Sequence, residues 1–179
     1  MQDWNVVLSV NERGFQEALR KLRIFGPVSK TRFFNVLVMR VDNVPYLLEA
    51  LRAWNDEDPH FLSFLSRLIP VTRTFVFQTP AEFESRAREA VLEWAAALGG
   101  RSFHVRMHRR GFRGSLSSPD EERFLDRALL ERLEQGGNPG RISFDSPDII
   151  IALETVEQRA GLSLWTREEL QRYPFIRLD

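Results

Sequence analysis

The 179-residue sequence predicts an α+β protein in two parts, residues 1–78 and 79–179, and three observations carry that expectation. Apolar residues alternate with period two in several short runs, among them Trp4, Val6, Leu8, Val10 and later Phe103, Val105, Met107, the spacing of half-buried strands. Between such runs they recur every three to four positions, as on the inward face of a helix. Two helix starts are also written out: Thr79-Pro80-Ala81-Glu82 and Ser118-Pro119-Asp120-Glu121 each offer a hydroxyl cap, a proline at the first helical position and a glutamate for a capping box.

In chain order, Asp3–Val10 reads as a strand, and Asn11 as the cap of a helix with Phe15, Leu19 and Leu22 in one stripe, stopped by Gly26-Pro27. The segment 28–41, with its unbroken Phe33 to Met39 run, reads as a buried strand or as a hairpin whose first arm is Gly26–Lys30. A second helix runs from about Asn43, with Val44, Leu47, Leu48, Leu51 and Trp54 inward, to a break at 55–59. Phe61, Phe64, Leu65 and Leu68 fit a short third helix ended by Pro70, and 71–78 a further strand. Strand, helix, strand or hairpin, helix, strand is the order of a ferredoxin-like unit.

The second part opens on the helix capped by Thr79, with Phe83, Ala87, Ala90, Val91, Trp94 and Leu98 inward and Gly99-Gly100 closing it. A strand follows, then the helix from Ser118 with Phe124, Leu125, Ala128 and Leu133 inward and Gly136-Gly137 past its end. Arg141–Asp145 reads as a short strand, Ser146-Pro147 as a turn, and 148–155 as a strand whose Ile149 to Leu153 run calls for burial on both faces. Leu162–Trp165 is expected to pair back, and Thr166 to cap a last helical turn before Pro174. The expected result is a mixed sheet with helices packed mainly on one side.

Composition bounds the chemistry. Twenty-five Lys+Arg balance 25 Asp+Glu, so the chain as a whole has no net attraction for an anion. The absence of cysteine removes disulfides, thiolate nucleophiles and cysteine-based metal sites together. His104 and His108, four apart on an extended segment, stand about 13 Å apart, too far to share a metal ion, and none is expected. No apolar run approaches the roughly 20 residues of a membrane span, and the first residues lack the basic and apolar segments of a signal peptide, so a cytoplasmic protein without membrane contact is expected. Gly136-Gly137-Asn138-Pro139-Gly140 follows a helix and precedes a strand, the reverse of a nucleotide loop. Ser115, Ser117 and Ser118 near His108 lack the third group a nucleophilic serine needs. Neither catalytic residue nor cofactor is expected, and the chain is not expected to be an enzyme.

Charge is nevertheless placed. Residues 101–114 hold five arginines and two histidines and no carboxylate. With Phe103, Val105 and Met107 on one face, His104, Arg106 and His108 fall on the other, and Arg109, Arg110 and Arg113 continue into a loop with Gly111 and Gly114. A cationic strand face and loop can meet phosphate; a solvated strand face carries the same pattern. Basic residues are arginine apart from Lys21 and Lys30, which habitat and genome composition explain equally.

Phe103-His104-Val105 followed by Arg109-Arg110, then a capped helix, then Ile142-Ser143-Phe144-Asp145-Ser146-Pro147-Asp148 and an apolar strand ending in Glu154 resembles the THUMP domain, an RNA-binding module of RNA-modifying enzymes. Its sharpest part is Pro147-Asp148, though both also read as plain turn residues, and Ser143 stands where the family often has Asp or Asn. The resemblance, with the ferredoxin-like unit as the usual companion, covers nearly the whole chain and is nearest to stand-alone tRNA-binding adaptors of the RNA cytidine acetyltransferase. It implies binding of tRNA or other structured RNA at the acceptor end and presentation to a tRNA-modifying enzyme in trans. Arg106, His108, Arg109, Arg110 and Arg113, with Arg141 across the sheet, are the candidate RNA-binding residues. A protein-interaction scaffold whose basic strip faces an acidic partner is the alternative.

Overall fold

The computed structural model of the chain describes residues 2–178; residues 1 and 179, the outer ends of the two expected parts, lie outside it. Two compact units form, one from the residues up to Pro70 with Glu168–Leu178, the other from Val71–Arg167.

The first unit runs β1 (Val6–Val10), α1 (Phe15–Leu22), β2 (Val28–Lys30), β3 (Val36–Met39), α2 (Val44–Glu57) and β4 (Leu65–Pro70). Its sheet has the order β2-β3-β1-β4 with every neighbouring pair antiparallel. The helix expected from about Asn43 is α2, which Asn43 caps, its side chain accepting from Tyr46 N at 3.0 Å, and Pro45 sits in the first turn where no donor is lost. Asn11 does otherwise: Gly14 takes the cap position of α1, and the Asn11 amide donates to Ser63 O at 2.6 Å.

One element is corrected outright. Phe61, Phe64, Leu65 and Leu68 do not form a helix; turns lead into β4, which pairs with β1 from Val6↔Pro70 to Val10↔Leu65, with a register shift between Ser9 and Val10. Five apolar residues in eight, Leu62 among them, fit either period, and the open edge of β1 decides for the strand.

The second unit runs β5 (Arg73–Val76), α3 (Pro80–Leu92), α4 (Ala95–Leu98), β6 (Ser102–His108), α5 (Ser118–Gln135), β7 (Arg141–Ile142), β8 (Ile149–Val156) and β9 (Arg159–Thr166), with α6 (Arg167–Arg172) following. The sheet order is β5-β9-β8-β6-β7, β6 being parallel to β7 and β8 and the other pairs antiparallel. A parallel β6–β8 pair needs a crossover, and α5 supplies it. The boundary expected between 78 and 79 therefore moves to Pro70/Val71, because β5 hydrogen-bonds along β9 and its residues cannot leave that sheet. Residues after Arg167 return to the first unit, where Leu68 N donates to Phe175 O at 3.0 Å and Arg172 and Tyr173 both hold Glu49.

Thr79 caps α3 as expected, its Oγ1 accepting from Glu82 N at 3.2 Å, while the Glu82 side chain accepts from Gln78 N at 2.9 Å, one residue before the cap N–H that a capping box takes. At α5 the cap position falls to Ser117, one residue before the expected Ser118. Phe83, Ala87 and Val91 of α3 and Leu125, Leu129 and Leu133 of α5 pack with Phe103, Val105, Ile149, Ile151 and Leu153 in one core. Removing a ring such as Phe83, 0% exposed, would cost about 3–5 kcal/mol.

The edge of β6 is finished by a helix. β7 reaches only Ser102 and Phe103. Farther along, Val105 N donates to Asp126 at 2.8 Å and Met107 N to Glu122 at 2.7 Å, so two carboxylates one turn apart on α5 replace a strand partner. Among the described residues no helix is long and apolar enough to cross a membrane.

Candidate nucleic-acid interface

Alternation along β6 is realised on its core side, where Phe103, Val105 and Met107 are buried. The opposite side is less open than expected. His104 is only 5% exposed, its Nδ1 lying 2.8 Å from Ser143 O and its ring 5.2 Å from that of Phe144. Arg106 and His108 are half-buried.

At the end of the strand a buried carboxylate organises the cations. Glu154 on β8 stands beside His108 in register and is 0% exposed. His108 Nδ1 lies 3.1 Å from one of its oxygens, and Arg110 Nη1 pairs with the other. A carboxylate taken out of water costs several kcal/mol unless paired and hydrogen-bonded, and the Arg110 guanidinium supplies the opposite charge here. Arg110, its side chain 11% exposed, therefore has a structural partner that the sequence pattern did not announce.

The loop that follows is tethered. Arg110 N donates to Thr155 Oγ1 at 3.0 Å, Glu157 N donates to Arg110 O at 2.8 Å, and Arg109 Nη1 donates to Gly111 O. Gly111 has φ +110°, and a Cβ there would lie 3.2 Å from Glu157 Cα, so close backbone approach requires glycine. Phe112 sets its ring 4.8 Å from Phe77. The open part of the loop begins at Arg113, which is exposed.

The six candidates are thus not one cluster. His108, Arg109, Arg110 and Arg113 gather at the C-terminal end of β6, and Arg106 lies on the strand. Arg141 pairs with Ser102 at the other end, about 20 Å away at the rise of a strand. Its exposed side chain adds to the causes that hold the Asp148 carboxyl below the usual range, the hydrogen bonds from Ser102 being larger and Arg167 also contributing. Pro147-Asp148 is a structural turn: Asp148 accepts from Ser102 N and Oγ, both at 2.9 Å, and returns its own N–H to Ser102 Oγ at 3.0 Å. Arg167 clamps the same turn through Ser146 O at 2.7 Å and Asp148 at 3.1 Å.

Two residues stand in the THUMP-like run of the sequence without a role assigned to them, Glu154 and Phe144. Glu154 could have been found, because a charge closing an apolar strand needs a partner. Phe144 is 69% exposed in a segment otherwise polar, and a lone aromatic there has no core to serve.

Compared by sequence, the chain matches no protein-family model and none of the curated proteins. Its fold is found in solved structures. TrmN from Thermus thermophilus is 18% identical with a TM-score of 0.54, the match covering 90% of this chain and 44% of that one. A 4-thiouridine synthetase solved as an RNA complex with bound ATP is 15% identical with a TM-score of 0.51, covering 92% and 42%. A possible methylase from Clostridium difficile 630 is 13% identical with a TM-score of 0.57, covering 90% and 40%. The chain spans less than half the length of these three structures, and at such identities the likeness concerns fold alone. It corrects the expectation that the chain is not an enzyme: the fold is one that enzymes carry, among them a synthetase and a possible methylase.

Proposed function

We propose that this chain binds RNA, tRNA first of all, in the service of a base-modification reaction. The observation that carries the reading is the match over 92% of the chain to a 4-thiouridine synthetase solved with RNA. The THUMP resemblance of residues 103–154 agrees with it, and the β-α-β-β-α-β order of the first unit is that of the ferredoxin-like companion. Arg106, Arg109, Arg110 and Arg113, with the His108 ring among them, supply positive charge along β6 and at its C-terminal end, and Arg141 supplies it at the other end. In its finer form the reading has the chain hold the acceptor end of tRNA in the cytoplasm and present it to a modifying enzyme in trans, such as a cytidine acetyltransferase.

Arginines suit the task because the guanidinium grips phosphate oxygens in bidentate fashion and stacks on unpaired bases. Filter binding of total tRNA at low salt tests the reading, with duplex DNA of similar length as the competitor. Retention of tRNA in preference to the duplex supports it, and failure to retain any structured RNA refutes it. Copurification of a nucleic-acid-modifying enzyme from cells tests the trans arrangement. A scaffold without RNA binding is the second reading, and the observation in its favour is that Arg110 already spends its charge on Glu154.

A further inference from the structure

Five large apolar side chains of the described residues stand exposed: Ile24, Phe34, Tyr46, Val76 and Phe144. Phe144 is the one beside β6. It follows Ser143, whose N–H donates to Phe103 O at 3.1 Å and whose carbonyl lies 2.8 Å from His104 Nδ1. His104 is buried and held, and the Phe144 ring leans against it at 5.2 Å with a 42° tilt between the planes. The aromatic is thus propped on one side by a fixed ring while 69% of the residue remains in water.

The surroundings are basic. Arg141 N donates to Arg101 O at 3.1 Å, which sets the two backbones side by side, and both side chains are exposed. An exposed carboxylate, Asp145, directly follows the ring and disfavours a phosphate at that spot. A nucleobase carries no such penalty. We infer that Phe144, propped by His104, is the stacking platform for an unpaired base of the bound RNA, with Arg141 and Arg101 meeting the flanking phosphates. The inference rests on the RNA-binding reading and adds to it a second contact at the opposite end of β6 from Arg109 and Arg113. Bases of any identity stack on an aromatic face, so the contact selects single-stranded over paired RNA, not one sequence over another.

The experiment measures fluorescence anisotropy with two RNAs: an acceptor-stem hairpin with an unpaired 3′ tail, and the same stem ending blunt. Phe144→Leu should weaken binding of the tailed RNA by about 5- to 150-fold, the range for loss of one stacked base. It should leave the blunt RNA and the melting temperature unchanged, and Phe144→Trp should restore the tailed RNA. With 2-aminopurine in the tail, the parent protein should change the probe's emission on binding. Phe144→Leu binding the tailed RNA like the parent overturns the inference and leaves the RNA reading standing. Equal loss on both RNAs overturns it as well, as does an unaltered 2-aminopurine signal in the bound parent. If the parent binds neither RNA, the RNA-binding reading fails, and the platform with it.

Discussion

Replacing Arg110 with alanine separates a structural cation from its neighbours. Glu154 is 0% exposed and pairs through one oxygen with the Arg110 guanidinium, while His108 Nδ1 lies 3.1 Å from the other. Truncating one partner of a buried ion pair costs about 3–5 kcal/mol, because the remaining charge stays buried without compensation. The Arg110 side chain is 11% exposed, so the pair is not wholly dry and the lower end, about 3 kcal/mol, is expected. For a chain of this size each kcal/mol moves the melting temperature by about 2–4 °C, so Arg110→Ala should melt about 6–12 °C below the parent. Arg109→Ala, whose recorded contact is local, should stay within about 0.5 kcal/mol of it. Adding Glu154→Gln to Arg110→Ala should recover much of the loss, since the buried charge is gone. Calorimetry on the parent and these three variants decides it. An Arg110→Ala protein that melts with the parent, or a double variant no more stable than Arg110→Ala, refutes the buried-pair account.

Stability should also depend on pH through α5. Burial is the main cause that pushes the Asp126 carboxyl up to about 7 from 3.8 and the Glu121 carboxyl up to about 7 from 4.5. The folded protein then holds protons that the unfolded chain has already released, so their contribution to stability falls as pH rises from about 4 through 7. Melting temperature should be higher at pH 5 than at pH 8, and Asp126→Asn should flatten the difference; an unchanged slope in that variant contradicts the assignment. Gly111→Ala should cost about 1–3 kcal/mol, because φ +110° and a Cβ placed 3.2 Å from Glu157 Cα both oppose a side chain. Chemical denaturation measures it, and a neutral result would mean the loop is not tethered to the β8–β9 turn.

Much of this fold is legible in the sequence where local chemistry suffices. The cap at Thr79, the apolar stripe from Phe83 to Val91 and the alternation of Phe103, Val105 and Met107 each depend on neighbours a few positions away, and each is realised. What escaped depends on distant pairing. The segment 61–68 carries a spacing that helix and strand share, and only the presence of β1 alongside makes Leu65–Pro70 a strand. The first boundary was misplaced for the same reason, since Arg73 belongs with Leu162, far along the chain. In the candidate interface the cations are readable but their partners are not. Glu154 is 44 positions from Arg110, and His104 is turned from an exposed cation into a held ring by Ser143, 39 positions on.

The central claim is that RNA is gripped by the arginines at the C-terminal end of β6. Its most direct test is the salt dependence of tRNA affinity, followed by fluorescence anisotropy on the parent, on Arg109→Ala with Arg113→Ala, and on Arg86→Ala with Arg88→Ala from the exposed side of α3. Arg110 is left in place because of Glu154. With about four phosphates neutralised, the parent's log–log slope should be about −3 to −4. Loss of Arg109 and Arg113 should weaken binding tens-fold or more and flatten the slope by about two units, with the melting temperature kept and the Arg86/Arg88 control unchanged. A parent that binds no structured RNA at low salt, or an Arg109/Arg113 variant that binds with the parent's affinity and slope, contradicts the account.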